Sequence, residues 1–109
     1  MMVGISLNLP KLLFDAATPS AGLESAHYAL PGNTTTLTWQ TFFGTPPASC
    51  TFKLWGSLDN SHYAVIDTST VVGGEIRTVN TNVSSIYLEL DAQTGSPAGV
   101  SALLVPKDI

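Results

Sequence analysis

The stretch LWGSLDNSHYAVID, residues 54–67, has the clearest structural pattern in the sequence. Aromatic and aliphatic residues flank the polar residues 59–61, which are of the types that form turns. The pattern predicts a β-hairpin whose strands are held in register by pairs of aromatic and aliphatic side chains. Within it, Gly56 is predicted to allow a bulge or a close approach of the backbone. We expect Tyr63 to return the second strand to the core.

Apolar and polar residues also alternate along several short segments after Pro31. A strand that buries one face shows this period of two, so each segment predicts a row of core-facing side chains. The predicted rows are Leu37, Trp39 and Thr41; Phe52 and Leu54; Ile86, Leu88 and Leu90; and Val100, Ala102 and Leu104. About six such strands with turn residues between them predict an all-β fold, an antiparallel β-sandwich of the jelly-roll-like or immunoglobulin-like kind.

The sequence divides into an irregular first part and a strand-rich second part. Residues 1–31 are predicted to form an N-terminal arm or edge segment, and residues 32–109 the β-sandwich domain. Prolines and glycines interrupt the first part, and its longest helix-compatible piece, KLLFDAA at 11–17, is short. We expect the arm to be extended and to cross a neighbouring subunit; alternatively, residues 3–9 add a seventh strand.

Charge is scarce along the whole chain. Only 11% of the residues are charged, and the net charge is −4, whereas an average protein has roughly 25% charged residues. The basic patch that marks nucleic-acid binding is missing, and the same shortage argues against anionic membrane surfaces. The start MMVGISLNLPKLL lacks the basic region of a signal peptide, and no apolar run approaches the ~20 residues that span a bilayer. We therefore expect a soluble protein that is made in a reducing cytoplasm.

The sequence contains no constellation typical of catalysis or metal binding. His27 and His62 do not have the spacing of metal ligands, and no serine lies in a G-x-S-x-G turn. Asp59 is explained by initiation of the hairpin turn, and Cys50, the only cysteine, is predicted to be a small buried residue in a strand. We expect no enzymatic activity, no cofactor and no metal ion.

Several large apolar residues are predicted to point away from the core. A contiguous patch of such residues typically marks an interface, and neutral polar surfaces repel their own copies weakly. We therefore predict a homo-oligomer, with a trimer favoured over a dimer; the alternative is a filled small barrel in which both faces are covered. The predicted interface residues are Leu7, Leu9, Leu12, Leu13 and Phe14 of the arm, and Trp55, Tyr87, Leu103 and Val105 of the sandwich.

The hairpin, followed by GGEIRTVNTNVSSIYLEL at 73–90, resembles the β-sandwich layout of small virion proteins of tailed bacteriophages. The resemblance covers about residues 34–105. It implies a structural role on the particle, as a head decoration (cement) protein or as a tail-associated or fibre-base component. The piece GSLDNSHY at 56–63 is also similar to the hairpin of discoidin-type, galactose-binding-like sandwiches, which usually have a glycine where this chain has Asn60.

We therefore expect a structural virion protein, most specifically a capsid decoration protein that stabilises the head. Its partners would be copies of itself and the major capsid protein or other virion proteins, and its location the virion after synthesis in the host cytoplasm. The alternative is a carbohydrate-binding module, or an adhesion component of the tail or fibre, in which Trp55 or Tyr87 stacks on a sugar ring. Neither function involves nucleic acid or a membrane.

Overall fold

The computed structural model describes residues 10–32 and 34–107. This part of the chain contains nine β-strands and no helix, hence no helix that is long and apolar enough to cross a membrane. The strands are β1 (Lys11–Ala17), β2 (Leu23–Glu24), β3 (Tyr28–Ala29), β4 (Thr36–Thr45), β5 (Ser49–Ser57), β6 (Ala64–Ser69), β7 (Glu75–Asn80), β8 (Ser85–Thr94) and β9 (Ala98–Lys107). The predicted all-β class is confirmed.

The strands form two antiparallel sheets that pack face to face. The first sheet has the order β1–β9–β4–β7, and the second has the order β2–β8–β5–β6, with β3 also paired to β8. Apart from β2–β3 and the β5–β6 hairpin, consecutive strands lie in opposite sheets. Such repeated crossing between two layers is the connectivity of a jelly roll, one of the two sandwich types that the sequence left open.

The core lies between the sheets and is built from the predicted inward rows. Leu37, Trp39, Thr41, Phe52, Leu54, Ile86, Leu88, Leu90, Val100, Ala102 and Leu104 are each at most 1% exposed. Cys50 is also buried, at the start of β5, and this burial raises the pKa of its thiol. Burying one large side chain of this kind stabilises the fold by roughly 1.5–3 kcal/mol, so these rows supply most of the driving force for packing the two layers.

The segment Lys11–Ala17, part of the predicted N-terminal arm or edge segment, forms a strand at the edge of the first sheet. It pairs with β9 and places Leu13 and Phe14 in the core, where they are 7% and 5% exposed. The pairing shifts register twice, and Ala16 has a positive φ of 47°. Bulges of this kind allow two consecutive residues to be buried, which a regular strand does not.

The hairpin formed by β5 and β6 contains the close approach predicted at Gly56. A Cβ at Gly56 would lie 3.1 Å from side-chain atoms of Ile66 and Val83, so only glycine fits without displacing them. The predicted bulge lies next to it on the partner strand, where Ile66 is the extra residue. Tyr63, however, does not return to the core: it is half-buried on the outer side of the sheet, and its hydroxyl is 2.8 Å from the Ser85 Oγ.

A polar network joins the two sheets on the side of β6 and β7. Trp39 Nε1 and Arg77 Nε, both from the first sheet, donate to Oδ2 of Asp67 in the second sheet, at 2.9 and 3.0 Å. Arg77 also forms an ion pair with Glu75 at 3.3 Å. Burial alone would raise the pKa of Asp67, but the hydrogen bonds from Arg77 and Trp39 outweigh it and hold that pKa below its usual value.

Candidate binding surfaces

On the outer side of the first sheet, strands β4, β7 and β9 carry almost no charge, while the edge strand β1 adds the exposed Lys11 and Asp15. On β4, β7 and β9, the paired side chains that point away from the core are Thr36, Thr38, Gln40, Phe42, Ile76, Thr78, Asn80, Ser101, Leu103, Val105 and Lys107. Lys107 is the one charged residue of this set, and it lies at the end of β9. We call this set, together with Leu12 of β1, the charge-poor face.

A row of four residues crosses the charge-poor face from edge to edge. Leu12 pairs with Leu103, Leu103 with Gln40, and Gln40 with Ile76. Ile76 is 64% exposed and Leu12 46%. Pro10 and several residues of the face line a shallow depression of about 140 Å³ over this row. Three of the four side chains in the row are aliphatic, and clustered exposed apolar side chains typically mark an interaction surface, so this face is the first candidate.

Four aromatic rings gather on the outer side of the second sheet, and we call His27, Trp55, Tyr63 and Tyr87 the aromatic cluster. Trp55 and Tyr87 are cross-strand neighbours. Their rings are parallel, with centroids 5.8 Å apart and an interplanar angle of 4°. His27 stacks on Tyr87 with centroids 4.5 Å apart. Tyr63 meets His27 and Tyr87 at steep angles of 62° and 66°. Each such pair contributes about 0.5–1.5 kcal/mol beyond its buried area.

Carboxylates border the aromatic cluster. Trp55 Nε1 donates to Glu89 Oε1 at 2.9 Å, which fixes the indole, and Glu24 pairs with Glu89 across β2 and β8. Burial raises the pKa of Tyr87, and the charges of Glu24 and Glu89 raise it further, so its hydroxyl stays protonated at neutral pH. The two outer faces therefore differ: one carries aliphatic and neutral polar side chains, and the other is aromatic and acidic.

A depression of about 220 Å³, here called the Asn60 depression, lies beside the aromatic cluster. Its lining residues are His27, Tyr28, Ala29, Asn60, Tyr63 and Ser85. Asn60 has a positive φ of 63°, a conformation that asparagine adopts more readily than most residues. Its backbone nitrogen donates to Ser57 Oγ at 2.9 Å, and its Oδ1 lies 3.1 Å from the donating hydroxyl of Ser84. The contact with Ser84 places the side-chain amide at the rim of the depression.

The exposed pair of Asp59 and His62 belongs to the hairpin turn. Asp59 Oδ1 accepts from the backbone nitrogens of His62 and Ser61 at 2.8 and 2.9 Å, and Oδ2 is 2.7 Å from His62 Nδ1. The backbone hydrogen bonds from His62 and Ser61 lower the pKa of Asp59. The geometry agrees with the predicted turn-initiating role. Across residues 10–32 and 34–107, no group of three or more His, Cys, Asp or Glu residues is placed to hold a metal ion.

The structure distributes the predicted interface residues over different parts of the molecule. Leu12, Leu103 and Val105 lie on the charge-poor face, and Trp55 and Tyr87 in the aromatic cluster. Leu13 and Phe14 are buried in the chain's own core, so their side chains are not open to a neighbour as the arm hypothesis expected. Leu7 and Leu9 lie outside the described residues.

Sequence reasoning did not assign Ile76, His27 or Asn60 to a candidate binding surface. For Ile76 the sequence offered no signal, because its alternation with Arg77 does not show which of the two faces outward. In the structure the Arg77 guanidinium reaches Asp67 of the other sheet, and Ile76 is exposed. His27 lies in an irregular segment, and no local pattern indicates that it stacks on Tyr87. Its position depends on the pairing of the short strands β2 and β3 with β8.

Comparisons with known proteins support the fold. The YomS protein derived from the SPBc2 prophage is similar in structure (TM-score 0.60, 12% identity, 95% of this chain and 100% of that one). So is a structure reported for Bacillus endospore appendages that form disulfide-linked pili (TM-score 0.54, 12% identity, 100% and 99%). The K3 cleaved adhesin domain of Lys-gingipain from Porphyromonas gingivalis w83 is a third (TM-score 0.59, 14% identity, 92% and 72%). No protein-family model and no curated protein sequence matches.

Proposed function

We propose that this protein is a structural subunit of a tailed-phage particle, most specifically a decoration protein that stabilises the capsid and catalyses no reaction. The observation that carries the proposal is the charge-poor face, where Leu12, Leu103 and Ile76, with Gln40 between the last two, form one row across four strands. The end-to-end structural likeness to a prophage-derived protein supports the phage context.

The distribution of charge favours a second copy of the chain as the first partner of this face. The net charge is −4, so two copies repel each other unless their acidic groups stay apart. Glu24 and Glu89 lie on the opposite outer face, beside the aromatic cluster. Contact through the charge-poor face therefore keeps these carboxylates away from the interface. We propose a homo-oligomer, with a trimer favoured over a dimer, that docks on the major capsid protein or another virion protein.

Purification of particles tests this proposal. A tagged copy is expressed in the host that carries the gene, and phage particles are banded in a density gradient. We expect the tagged chain to band with the particles and antibody to label the head in electron micrographs. The Ile76→Asp variant should stay out of the band, whereas Leu58→Asp, which alters an exposed residue of the hairpin turn, should behave as the unmodified chain. Absence from the particles would contradict the structural role, and label on the tail would contradict the capsid position.

A second candidate function is carbohydrate binding, either as a separate module or as an adhesion component of a tail or fibre. The aromatic cluster favours it, because sugar rings stack on aromatic side chains. The likeness to a gingipain adhesin domain fits the same function. A glycan array probed with the wild-type chain and with Trp55→Ala tests it, with Thr78→Ala of the opposite sheet as control. Saturable binding that Trp55→Ala alone reduces supports the function, and no binding by the wild type contradicts it.

A further inference from the structure

The parallel stacking in the aromatic cluster restricts where a ligand can lie. Tyr87 stacks on His27 with ring centroids 4.5 Å apart, so one face of Tyr87 is occupied by His27. Trp55 is held by its hydrogen bond to Glu89. Tyr63 meets His27 and Tyr87 at steep angles instead of stacking parallel to them. It also lines the Asn60 depression. Tyr63 and His27 are therefore the rings of the cluster that a ligand in the Asn60 depression would contact.

We propose that the Asn60 depression is a binding site for a single neutral sugar residue. This proposal rests on the second candidate function, carbohydrate binding, and places it at a site that differs from the Trp55 and Tyr87 surface. The depression has a volume of about 220 Å³, which is below the ~300 Å³ of the smallest sites for drug-sized ligands. Its size therefore suits one ring and not an oligosaccharide.

The lining of the depression selects an uncharged ligand. None of its lining residues is an aspartate, glutamate, lysine or arginine. A buried or half-buried charge on the ligand would thus lose water without gaining a charged partner, which is unfavourable. The carboxylates of Glu24 and Glu89 lie beside Tyr87 and disfavour anionic sugars in the same region.

The polar groups of the depression match the hydroxyl groups of a sugar. Ser84 Oγ shares its single proton between the Ser57 carbonyl oxygen at 3.0 Å and Asn60 Oδ1 at 3.1 Å. The amide oxygen of Asn60 thus faces Ser84, and the two amide N–H groups point to other acceptors. The hydroxyls of Tyr63 and Ser85 bond to each other at 2.8 Å, and each keeps acceptor capacity for a ligand hydroxyl. An aromatic wall next to a fixed amide and two hydroxyls is the combination that binds the apolar and polar sides of a pyranose.

The test is a titration of the isotope-labelled chain with free galactose, glucose, mannose, fucose, N-acetylglucosamine and N-acetylgalactosamine, followed by nuclear magnetic resonance. We expect at least one of them to shift the amide signals of Asn60, Tyr63 and Ser85 saturably. Asn60→Gly removes the amide while a glycine keeps the positive φ, and it should weaken binding about tenfold. Tyr63→Ala should weaken it at least as much, and Thr78→Ala should bind as the wild type.

Two outcomes would overturn the proposal, and they separate it from carbohydrate binding as such. If none of the six sugars shifts these signals saturably, the depression is not a sugar site. If a sugar binds but only Trp55→Ala weakens binding, while Asn60→Gly and Tyr63→Ala do not, carbohydrate binding stands and the site is elsewhere. Sedimentation of the same variants should be unchanged, because the depression is remote from the charge-poor face.

Discussion

Asp67 is the residue on which the contact between the sheets at β6 and β7 depends. Its side chain is 12% exposed and accepts from Trp39 and Arg77 through one oxygen. We predict that Asp67→Asn lowers the free energy of unfolding by about 2 kcal/mol, because hydrogen bonds to a charged acceptor are replaced by weaker ones. Urea denaturation measures this change. Asp91→Asn breaks a half-exposed ion pair with Lys53 and should cost less than about 1 kcal/mol; equal effects would contradict the assignment.

The depressed pKa of Asp67 also predicts how stability depends on pH. A carboxylate with a lower pKa in the folded state stabilises the fold above its unfolded pKa of about 3.9. This contribution is lost as the pH falls from there through the folded pKa. Urea midpoints at about pH 6 and about pH 3 should therefore differ less for Asp67→Asn than for the wild type. The difference does not vanish, since the pKa of Asp59 is also lowered. An unchanged difference would contradict this account.

Gly73 and Gly74 form a matched pair for testing a turn. Gly74 has a φ of +99°, and a Cβ there would lie 2.8 Å from the Thr41 carbonyl oxygen, whereas a Cβ at Gly73 meets nothing within 4 Å. We predict that Gly74→Ala lowers the free energy of unfolding by about 1–2 kcal/mol and that Gly73→Ala changes it by less than about 0.5 kcal/mol. Thermal unfolding of both variants checks this, and the reverse order would show that the turn is described wrongly.

At the scale of the elements, two neighbouring residues of β1 differ sharply in burial. Leu13 is 7% exposed and Leu12 46%. We predict that Leu13→Ala lowers the free energy of unfolding by about 3 kcal/mol, because it leaves a cavity between the sheets, and that Leu12→Ala lowers it by less than about 1 kcal/mol. Urea denaturation distinguishes the two. Similar losses would mean that β1 does not pack as described.

The position of β1 also determines how the arm hypothesis can be tested. Deleting residues 2–18 would remove β1 and with it Leu13 and Phe14 from the core, so a loss of function would reflect unfolding. A deletion that ends before Pro10 leaves β1 and its pairing with β9 in place. Only the shorter deletion reports on a contact made by residues 2–9.

The strands that the sequence predicted well are the regular ones. Over the central part of β4, β5, β8 and β9, burial alternates residue by residue, so the inward rows could be identified without knowing the partners. β1 was not recognised because Leu13 and Phe14 are consecutive and both buried, which a bulge permits and a period of two does not indicate. Tyr63 was assigned to the core because an aromatic residue after a turn has the same local pattern whether it faces inward or outward.

At the scale of the whole molecule, the sequence predicted a sandwich but not its connectivity. The choice between a jelly roll and an immunoglobulin-like sandwich depends on which distant strands pair, such as β4 with β9 and β5 with β8. The charge-poor face and the aromatic cluster also depend on which distant strands pair. The row from Leu12 to Ile76 joins residues from four strands, and the stacking of His27 on Tyr87 joins segments far apart in sequence. Only the pairing of the strands brings them together.

Sedimentation of the purified chain tests the central claim, that the charge-poor face is an assembly surface. We predict that the wild type and Leu58→Asp sediment as oligomers, whereas Ile76→Asp sediments as a folded monomer with the wild-type circular dichroism spectrum, because an isolated carboxylate cannot be buried in a neutral interface. A wild-type chain that stays monomeric at every concentration, or an Ile76→Asp variant that remains oligomeric, would contradict the account.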